Sequence, residues 1–281
     1  MASRVASQSF AILGQNVHIE PGSAAVRQLM VGNLGAFASA DHSSASDLHY
    51  RISGRGPFEV RRRGRATVAS PDSRSDLLYE VEKDVVLELQ RRNAGLFFFH
   101  SGAIAWQRRA SLFVAESGSG KSTTTWALLH HGFDYLSDEI APISMDTLFV
   151  HPYPHAVCLK RAPPRSYPLP TATMRLEWSL HVPVAALPAP AASTAYPLDA
   201  IFLLRYDPAA AAPSVRPLRT GEAAARLFVN ALNALAHPNM GLDAVLHIAD
   251  HARCFALTTA KLPETCELVG SILREQGPSP R

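Results

Sequence analysis

Residues 112–139 read LFVAESGSGKSTTTWALLHHGFDYLSDE, and this stretch decides the fold that the sequence predicts. An apolar run leads into a Gly/Ser loop that ends in Gly120-Lys121-Ser122, and a helical segment and two acidic residues follow. Gly118 and Gly120 can adopt positive φ angles, so successive backbone N–H groups of the loop can approach one anion. The start of the helix directs the positive end of its dipole to the same place. The order of these parts predicts a strand, a phosphate-binding loop and a helix.

The side chains around this loop suit a nucleotide with its magnesium ion. Lys121 adds a full positive charge, and the hydroxyl of Ser122 is of the type that coordinates Mg²⁺. Asp138 and Glu139 offer carboxylates for the metal or for a proton. We expect the intervening helix to run from about Lys121 to His131.

The loop departs at one position from the usual template, G-x-x-x-x-G-K-[ST]. Ala115 stands where the first glycine is expected, and a small side chain is tolerable there if φ stays negative. The alternative interpretation is a structural turn between a core strand and a core helix, with Lys121 solvated. The strand, loop and helix order and the downstream acids favour the phosphate site.

Composition indicates a globular protein of moderate charge. The 281 residues are 47% hydrophobic and 18% charged, and the net charge of +3 is too small to indicate a nucleic-acid partner. Three cysteines without paired spacing disfavour a disulfide framework and favour a reducing, cytoplasmic location. The longest apolar stretch, residues 94–106, is interrupted by His100 and is too short to span a bilayer. We therefore expect a cytoplasmic protein with no membrane or nucleic-acid partner.

The chain is expected to have three parts. We expect residues 1–45 to form a weakly ordered lead-in with one helix near Ala24–Met30. Residues 46–275 are expected to form a single P-loop domain, and residues 276–281 a tail. Prolines crowd an insertion at about 152–197, which excludes long helices and central strands there. The insertion is either a substrate-facing flap or an ordinary irregular segment.

Apolar periodicity predicts the remaining elements. Residues 48–69 alternate as in an antiparallel meander, and residues 75–92 have helical spacing. Strands are also expected at 96–100, 103–106, 148–150, 200–206 and 253–258, and helices at 221–236, 242–251 and 263–274.

These motifs together resemble the C-terminal kinase domain of the HPr kinase/phosphorylase family, and more closely its wider group of HPr-kinase-related proteins. The likeness rests on HSGAIAW at 100–106, AESGSGKS at 115–122, SDE at 137–139 and PYPHAVCLK at 152–160. It covers residues 94–162 and, through the order of elements, extends more loosely over 45–273.

The resemblance implies an α/β fold with a P-loop-containing mixed sheet flanked by helices, as in phosphoenolpyruvate carboxykinase and HPr kinase. It also implies an ATP-dependent kinase that uses Mg²⁺ and transfers the γ-phosphate to a serine hydroxyl of a small protein or peptide. The loop residues that would hold the nucleotide are Glu116, Ser117, Gly118, Ser119, Gly120, Lys121, Ser122 and Thr123.

In this picture Lys121 bridges the β- and γ-phosphates, and Ser122 and Glu139 hold Mg²⁺. Asp138, which matches the first of the family's paired aspartates, orients and deprotonates the acceptor hydroxyl, and His100 accepts a hydrogen bond beside the γ-phosphate. Two structural interpretations stay open: Asp138 could cap a turn, and His100 could be a hydrogen-bonded histidine at a strand end.

The sequence also departs from the family. The downstream signature with a Glu-Ile-Arg-Gly core is absent, so only the forward kinase reaction is expected, and the N-terminal third does not resemble the family's regulatory domain. A small-molecule kinase and a non-catalytic nucleotide-binding scaffold are the alternative functions, and a homo-oligomer stays open. His247 and His251 have the spacing of paired metal ligands, but no third ligand accompanies them, so no zinc site is expected there.

Overall fold

The computed structural model describes residues 5–40 and 47–275, which form sixteen strands and six α-helices. In chain order they are β1 (Gln8–Ile12), β2 (Gln15–Pro21), α1 (Ala24–Leu34), β3 (Leu48–Gly54), β4 (Phe58–Arg62), β5 (Arg65–Ala69), α2 (Arg74–Arg92), β6 (Leu96–Trp106), β7 (Arg109–Val114), α3 (Lys121–Leu129), β8 (Asp134–Ser137), β9 (Ile140–Ser144), β10 (Phe149–Val150), β11 (Val157–Leu159), β12 (Met174–Arg175), β13 (Leu180–Val182), β14 (Tyr196–Tyr206), β15 (Ser214–Pro217), α4 (Thr220–Phe228), α5 (Leu242–His251), β16 (Arg253–Thr259) and α6 (Leu262–Arg274).

The described chain divides into two compact units. The first unit takes residues up to 93 together with 155–162 and 168–186, and the second takes 94–154, 163–167 and 187 onward. Whether residues 46–275 behave as one domain stays a prediction. None of the described helices is long and apolar enough to span a membrane.

The first unit contains a five-stranded sheet in the order β1-β2-β3-β4-β5. Only β2 and β3 run parallel, and the β3-β4-β5 part is the antiparallel meander predicted from residues 48–69. Helix α2 is capped by Ser73, whose hydroxyl accepts a hydrogen bond from the Asp76 N–H at 3.0 Å. Strands β11, β13 and β12 form a small second sheet within the proline-rich insertion, which contains no long helix.

The N-terminal segment has more regular structure than the sequence predicts. The expected weakly ordered lead-in contains β1, β2 and the helix α1. Alternation in β2 buries Val17, Ile19 and Pro21, and Ser23 caps α1 by accepting from the Val26 N–H at 3.2 Å. Strand β1 pairs with β2, and β2 pairs with β3, about thirty residues further on, so local propensity underestimates these short strands. Residues 1–4 and 41–45 of the lead-in, and the predicted tail, lie outside the described residues.

The second unit is built on an eight-stranded sheet in the order β10-β9-β6-β7-β14-β16-β15, with β8 paired to β6. Strands β7, β14 and β16 run parallel and the other pairs run antiparallel, so the sheet is mixed. Apolar residues of α4 and α5 bury one face of the central strands, among them Leu227 and Ile248 against Leu112 and Ile201. The predicted mixed α/β fold with helices flanking the sheet is confirmed.

Several element boundaries differ from the prediction; the strand expected at 200–206, for example, begins at Tyr196. The strands expected at 96–100 and 103–106 form one long strand, β6. Helix α3 ends at Leu129, and Gly132 closes the following turn with φ +84°. The helix expected at 221–236 stops at Phe228 because the chain then pairs with β6, where Leu232 N–H donates to the Phe98 carbonyl at 2.8 Å.

Candidate functional site

The glycine-rich loop leaves the carboxyl end of β7, in the middle of the mixed sheet. Val114, the last residue of β7, pairs with Ser101 of β6 on one side and Leu203 of β14 on the other. Ala115 is buried and does not adopt a positive φ, as its side chain requires. The missing first glycine therefore causes no strain.

The loop turns on two glycines and ends as the first turn of α3. Gly118 has φ +87° and Gly120 has φ +91°, values that an L-residue rarely adopts. Gly120 is the N-cap of α3 and provides no side-chain cap, and the first intrahelical bond runs from Thr124 N–H to the Gly120 carbonyl at 2.8 Å. The N–H groups of residues 121–123 therefore have no acceptor within the helix, which is the arrangement that binds an anion.

Lys121 is folded over the loop and is not solvated. Only 6% of the residue is exposed, and its ammonium donates to the carbonyls of Ala115 at 2.6 Å and Glu116 at 3.2 Å. The alternative interpretation with a solvated Lys121 is wrong, because the side chain is buried and its amino group lies against the loop carbonyls.

Close packing of α3 on β6 fixes the position of the loop. Gly102 of β6 faces Thr125 of α3, and a Cβ at position 102 would overlap the Thr125 hydroxyl oxygen. The absence of that carbon lets the helix approach the sheet, and the loop is tied to the sheet at both its ends.

The acidic pair lies at the sharp connection between β8 and β9. Asp138 is fully buried, and the Tyr135 hydroxyl donates to its Oδ1 at 3.4 Å. The Ser137 hydroxyl accepts from the N–H groups of Glu139 and Ile140, each at 3.3 Å. Ser137 thus caps this turn, and the reading of Asp138 as the turn cap is not needed.

Glu139 extends from the turn beside His100. Its side chain is 47% exposed, and its Oε1 lies 3.6 Å from Nε2 of His100, whose side chain is 28% exposed. The Ser101 N–H donates to the Glu139 carbonyl at 3.2 Å. Because Ser101 also pairs with Val114, one residue links the acidic turn to the start of the loop.

Strand β7 lies on one side of β6, and β8 and β9, which flank the acidic turn, lie on the other side. The end of β7 and the acidic turn are therefore separated by about two strand spacings, ~10 Å. The Ser101 hydroxyl is buried between them and has no hydrogen-bond partner among the described residues. A buried hydroxyl without a partner is normally satisfied by bound water or a ligand oxygen.

The sequence-predicted residues fall into two groups in the structure. The loop residues Glu116, Ser117 and Gly118 are exposed, and residues 119, 120, 122 and 123 are half-buried above Lys121. His100 and Glu139 face each other, whereas Asp138 is packed inside against Tyr135.

Sequence reasoning missed Ser101 and Tyr135. Ser101 stands directly after His100 in the HSGAIAW motif, but its role depends on strand pairing, which the motif does not reveal. Tyr135 precedes Asp138 by three residues. The sequence does not show that Asp138 is buried, so it gives no reason to connect the two side chains.

No protein-family model matches the chain. No curated protein matches it either. Among solved structures, the chain is similar to the Hpr(Ser) kinase/phosphatase from Coxiella burnetii, with 12% sequence identity and a TM-score of 0.31 over 64% of this chain and 99% of that chain. Likeness at that level is too weak to establish a common fold or a common activity.

Proposed function

We propose that this protein is an ATP-dependent kinase that transfers the γ-phosphate to a serine hydroxyl of a small protein or peptide. The observation that carries the proposal is Lys121, buried and bonded to the loop carbonyls beside an uncapped helix N-terminus. A polyphosphate bound there would neutralise the ammonium and accept from the loop N–H groups at once. A purely structural turn has no need of a buried charge.

The residues fit the nucleotide and its metal ion by chemistry. The N–H groups of the 116–123 loop would hold the β-phosphate, and Lys121 would reach between the β- and γ-phosphates. Ser122 and Glu139 supply the hard oxygen ligands that Mg²⁺ prefers. When bound, Mg²⁺ supplies charge neutralisation on the phosphate oxygens.

In the transfer step the acceptor oxygen forms a bond to the γ-phosphorus, and the bond from that phosphorus to the bridging oxygen of ADP breaks. The hydroxyl proton passes to the carboxylate of Asp138, and His100 accepts a hydrogen bond beside the γ-phosphate. Asp138 is fully buried, so the proposal requires it to become accessible when nucleotide and acceptor bind.

Nucleotide binding is tested by calorimetry with Mg·ATP. Lys121→Ala removes the basic side chain of the loop, so we expect affinity to fall by about 30-fold or more, equivalent to about 2 kcal/mol. Lys261→Ala is the matched control, because Lys261 is an exposed lysine paired with Glu264, and it should bind as the unaltered protein does. Folded protein that gives no heat with any Mg·nucleotide would contradict the proposal.

Transfer is tested separately, with γ-labelled ATP and candidate serine peptides or co-purified small proteins. We expect Asp138→Asn to keep nucleotide binding and to lose about 100-fold or more in transfer, whereas the exposed Asp146→Asn keeps both. Label on a small molecule would indicate a small-molecule kinase. Binding without acceptor-stimulated ADP release would indicate a nucleotide-binding scaffold.

A further inference from the structure

Two histidines and a glutamate converge on the polar face of the five-stranded sheet in the first unit. His18 and Glu20 alternate with the buried residues of β2, so both lie on the same face. His49 lies on β3 directly opposite His18 in the register. One candidate ligand atom from each of these three residues lies within 4.8 Å of the other two.

The carboxylate and one imidazole already meet. His49 Nε2 lies 2.8 Å from Glu20 Oε1, and the rings of His18 and His49 are edge to face with centroids 4.9 Å apart. All three side chains are half-buried. Two ligand atoms on one zinc ion lie about 3.4 Å apart when the bonds are about 2.1 Å long and the geometry is tetrahedral. Glu20 Oε1 and His49 Nε2 therefore need to move apart by only a small distance to share an ion.

Outer partners hold two of the three groups in place. The Ser9 hydroxyl on β1 lies 3.1 Å from His18 Nδ1 and orients this imidazole. Arg51 donates through Nε to Glu20 Oε2 at 2.8 Å, so Oε1 keeps its orientation toward the imidazoles. Metal-binding histidines and carboxylates are usually oriented by such second contacts.

We propose that His18, Glu20 and His49 bind a divalent transition-metal ion, for which Zn²⁺ is best suited. Imidazole nitrogens with one carboxylate oxygen favour zinc and its neighbours in the first transition row over Mg²⁺ or Ca²⁺. Three protein ligands also leave a fourth position for water or a small ligand.

The competing explanation is a surface ion-pair network of Arg51, Glu20 and His49 with no metal. Arg51 Nε donates to Glu20 Oε2 and His49 Nε2 lies beside Glu20 Oε1, each at 2.8 Å, so ion pairing alone accounts for these two contacts. The position of His18 favours the metal, because its ring lies edge to face against His49 and brings a third candidate ligand atom within 4.8 Å of the other two.

The test is calorimetric titration of ZnCl₂ into full-length protein that has been freed of metal with a chelator. We expect one strong site per chain, and we expect Co²⁺ to give the visible absorption of a low-coordinate ion. His18→Gln/His49→Gln should abolish both signals. Ser9→Ala, which removes an outer contact and no ligand, should weaken Zn²⁺ binding by about 10-fold.

His247→Gln/His251→Gln is the matched control, because those surface rings also lie close together, with centroids 4.3 Å apart. This control should bind Zn²⁺ normally. Circular dichroism and thermal unfolding without metal identify any variant that fails to fold, and Ser9→Ala then carries the test. The proposal is overturned if no Zn²⁺ binds, or if folded His18→Gln/His49→Gln still binds Zn²⁺ as tightly as the unaltered protein does. These binding signals do not depend on kinase activity.

Discussion

At the scale of single residues, the candidate site depends on three glycines, which have no Cβ atom. The loop can turn because Gly118 and Gly120 have no Cβ, and α3 can approach β6 because Gly102 has none. The spacing of Gly118 and Gly120 before Lys121 makes both recognisable in the sequence. Gly102 looked like any glycine in a strand, since its partner Thr125 becomes its neighbour only after folding.

Gly102→Ala should force α3 away from the sheet. The added carbon would overlap the Thr125 hydroxyl oxygen, and overpacking of this kind costs about 1–3 kcal/mol. We expect a lower free energy of unfolding and weaker Mg·ATP binding, measured by urea denaturation and calorimetry. Gly95→Ala is the control, because a Cβ there meets nothing within 4 Å.

Removal of the opposing oxygen should relieve the overlap. In a double-mutant cycle, Gly102→Ala/Thr125→Ala should be less destabilised than the sum of the two single variants. Strict additivity would show that the contact between strand and helix does not set the position of the loop.

At the scale of elements, α2 and α4 show what periodicity can and cannot predict. Helix α2 forms as expected because its apolar spacing and its Ser73 cap are local. The continuation of α4 fails because backbone groups of residues 230–232 bond to β6 instead, including Asn230, whose carbonyl accepts from the His100 N–H at 2.9 Å. That competition is invisible in the sequence of the segment itself.

A carboxylate from the proline-rich insertion stabilises the first turn of α2. Glu177 accepts from the N–H and hydroxyl of Ser75, each at 3.0 Å, and from Arg74 at 3.1 Å. Burial alone would raise the pKa of Glu177, but hydrogen bonds from its own backbone, from Arg74 and from Ser75 lower it to about 2 from an ordinary value of 4.5.

A depressed pKa in the folded state gives a definite pH dependence. The stabilisation from Glu177 is complete above pH 4.5 and is lost as the pH falls toward 2. We therefore expect Glu177→Gln to be less stable than the unaltered protein at pH 7, and this difference to shrink below pH 4.5. Urea unfolding at a series of pH values measures it. Glu80→Gln, which removes an exposed pair with Lys83 on the same helix, should show almost no difference at any pH.

At the scale of the whole molecule, the parallel centre of the mixed sheet carries a shared ion cluster. Asp199 of β14 is bonded to Arg109 of β7 at 2.8 Å and to Arg253 of β16 at 2.5 Å. It therefore joins the three parallel strands across their pairing. The loop leaves the other end of β7, so the sheet that this cluster stabilises also holds the candidate site.

Asp199→Ala should destabilise the second unit, because two guanidinium groups lose the carboxylate between them. Arg109 is nearly half exposed, so we expect about 2 kcal/mol, less than for a fully buried pair. The measurement is the urea midpoint of the full chain, with hydrogen exchange to locate the change in β7, β14 and β16. Unchanged hydrogen exchange in these strands would show that the cluster does not stabilise them.

The sequence alone determined the strand, loop and helix of residues 112–129 and the mixed α/β class, because spacing, glycine conformation and apolar periodicity are local properties. Tertiary structure decided three further things: the folding of Lys121 onto the loop carbonyls, the link through Ser101 between loop and acidic turn, and the meeting of His18 with His49. The first depends on the burial of Lys121 against the loop, which the local sequence does not reveal. The other two depend on the register between paired strands, and register follows from how whole faces pack.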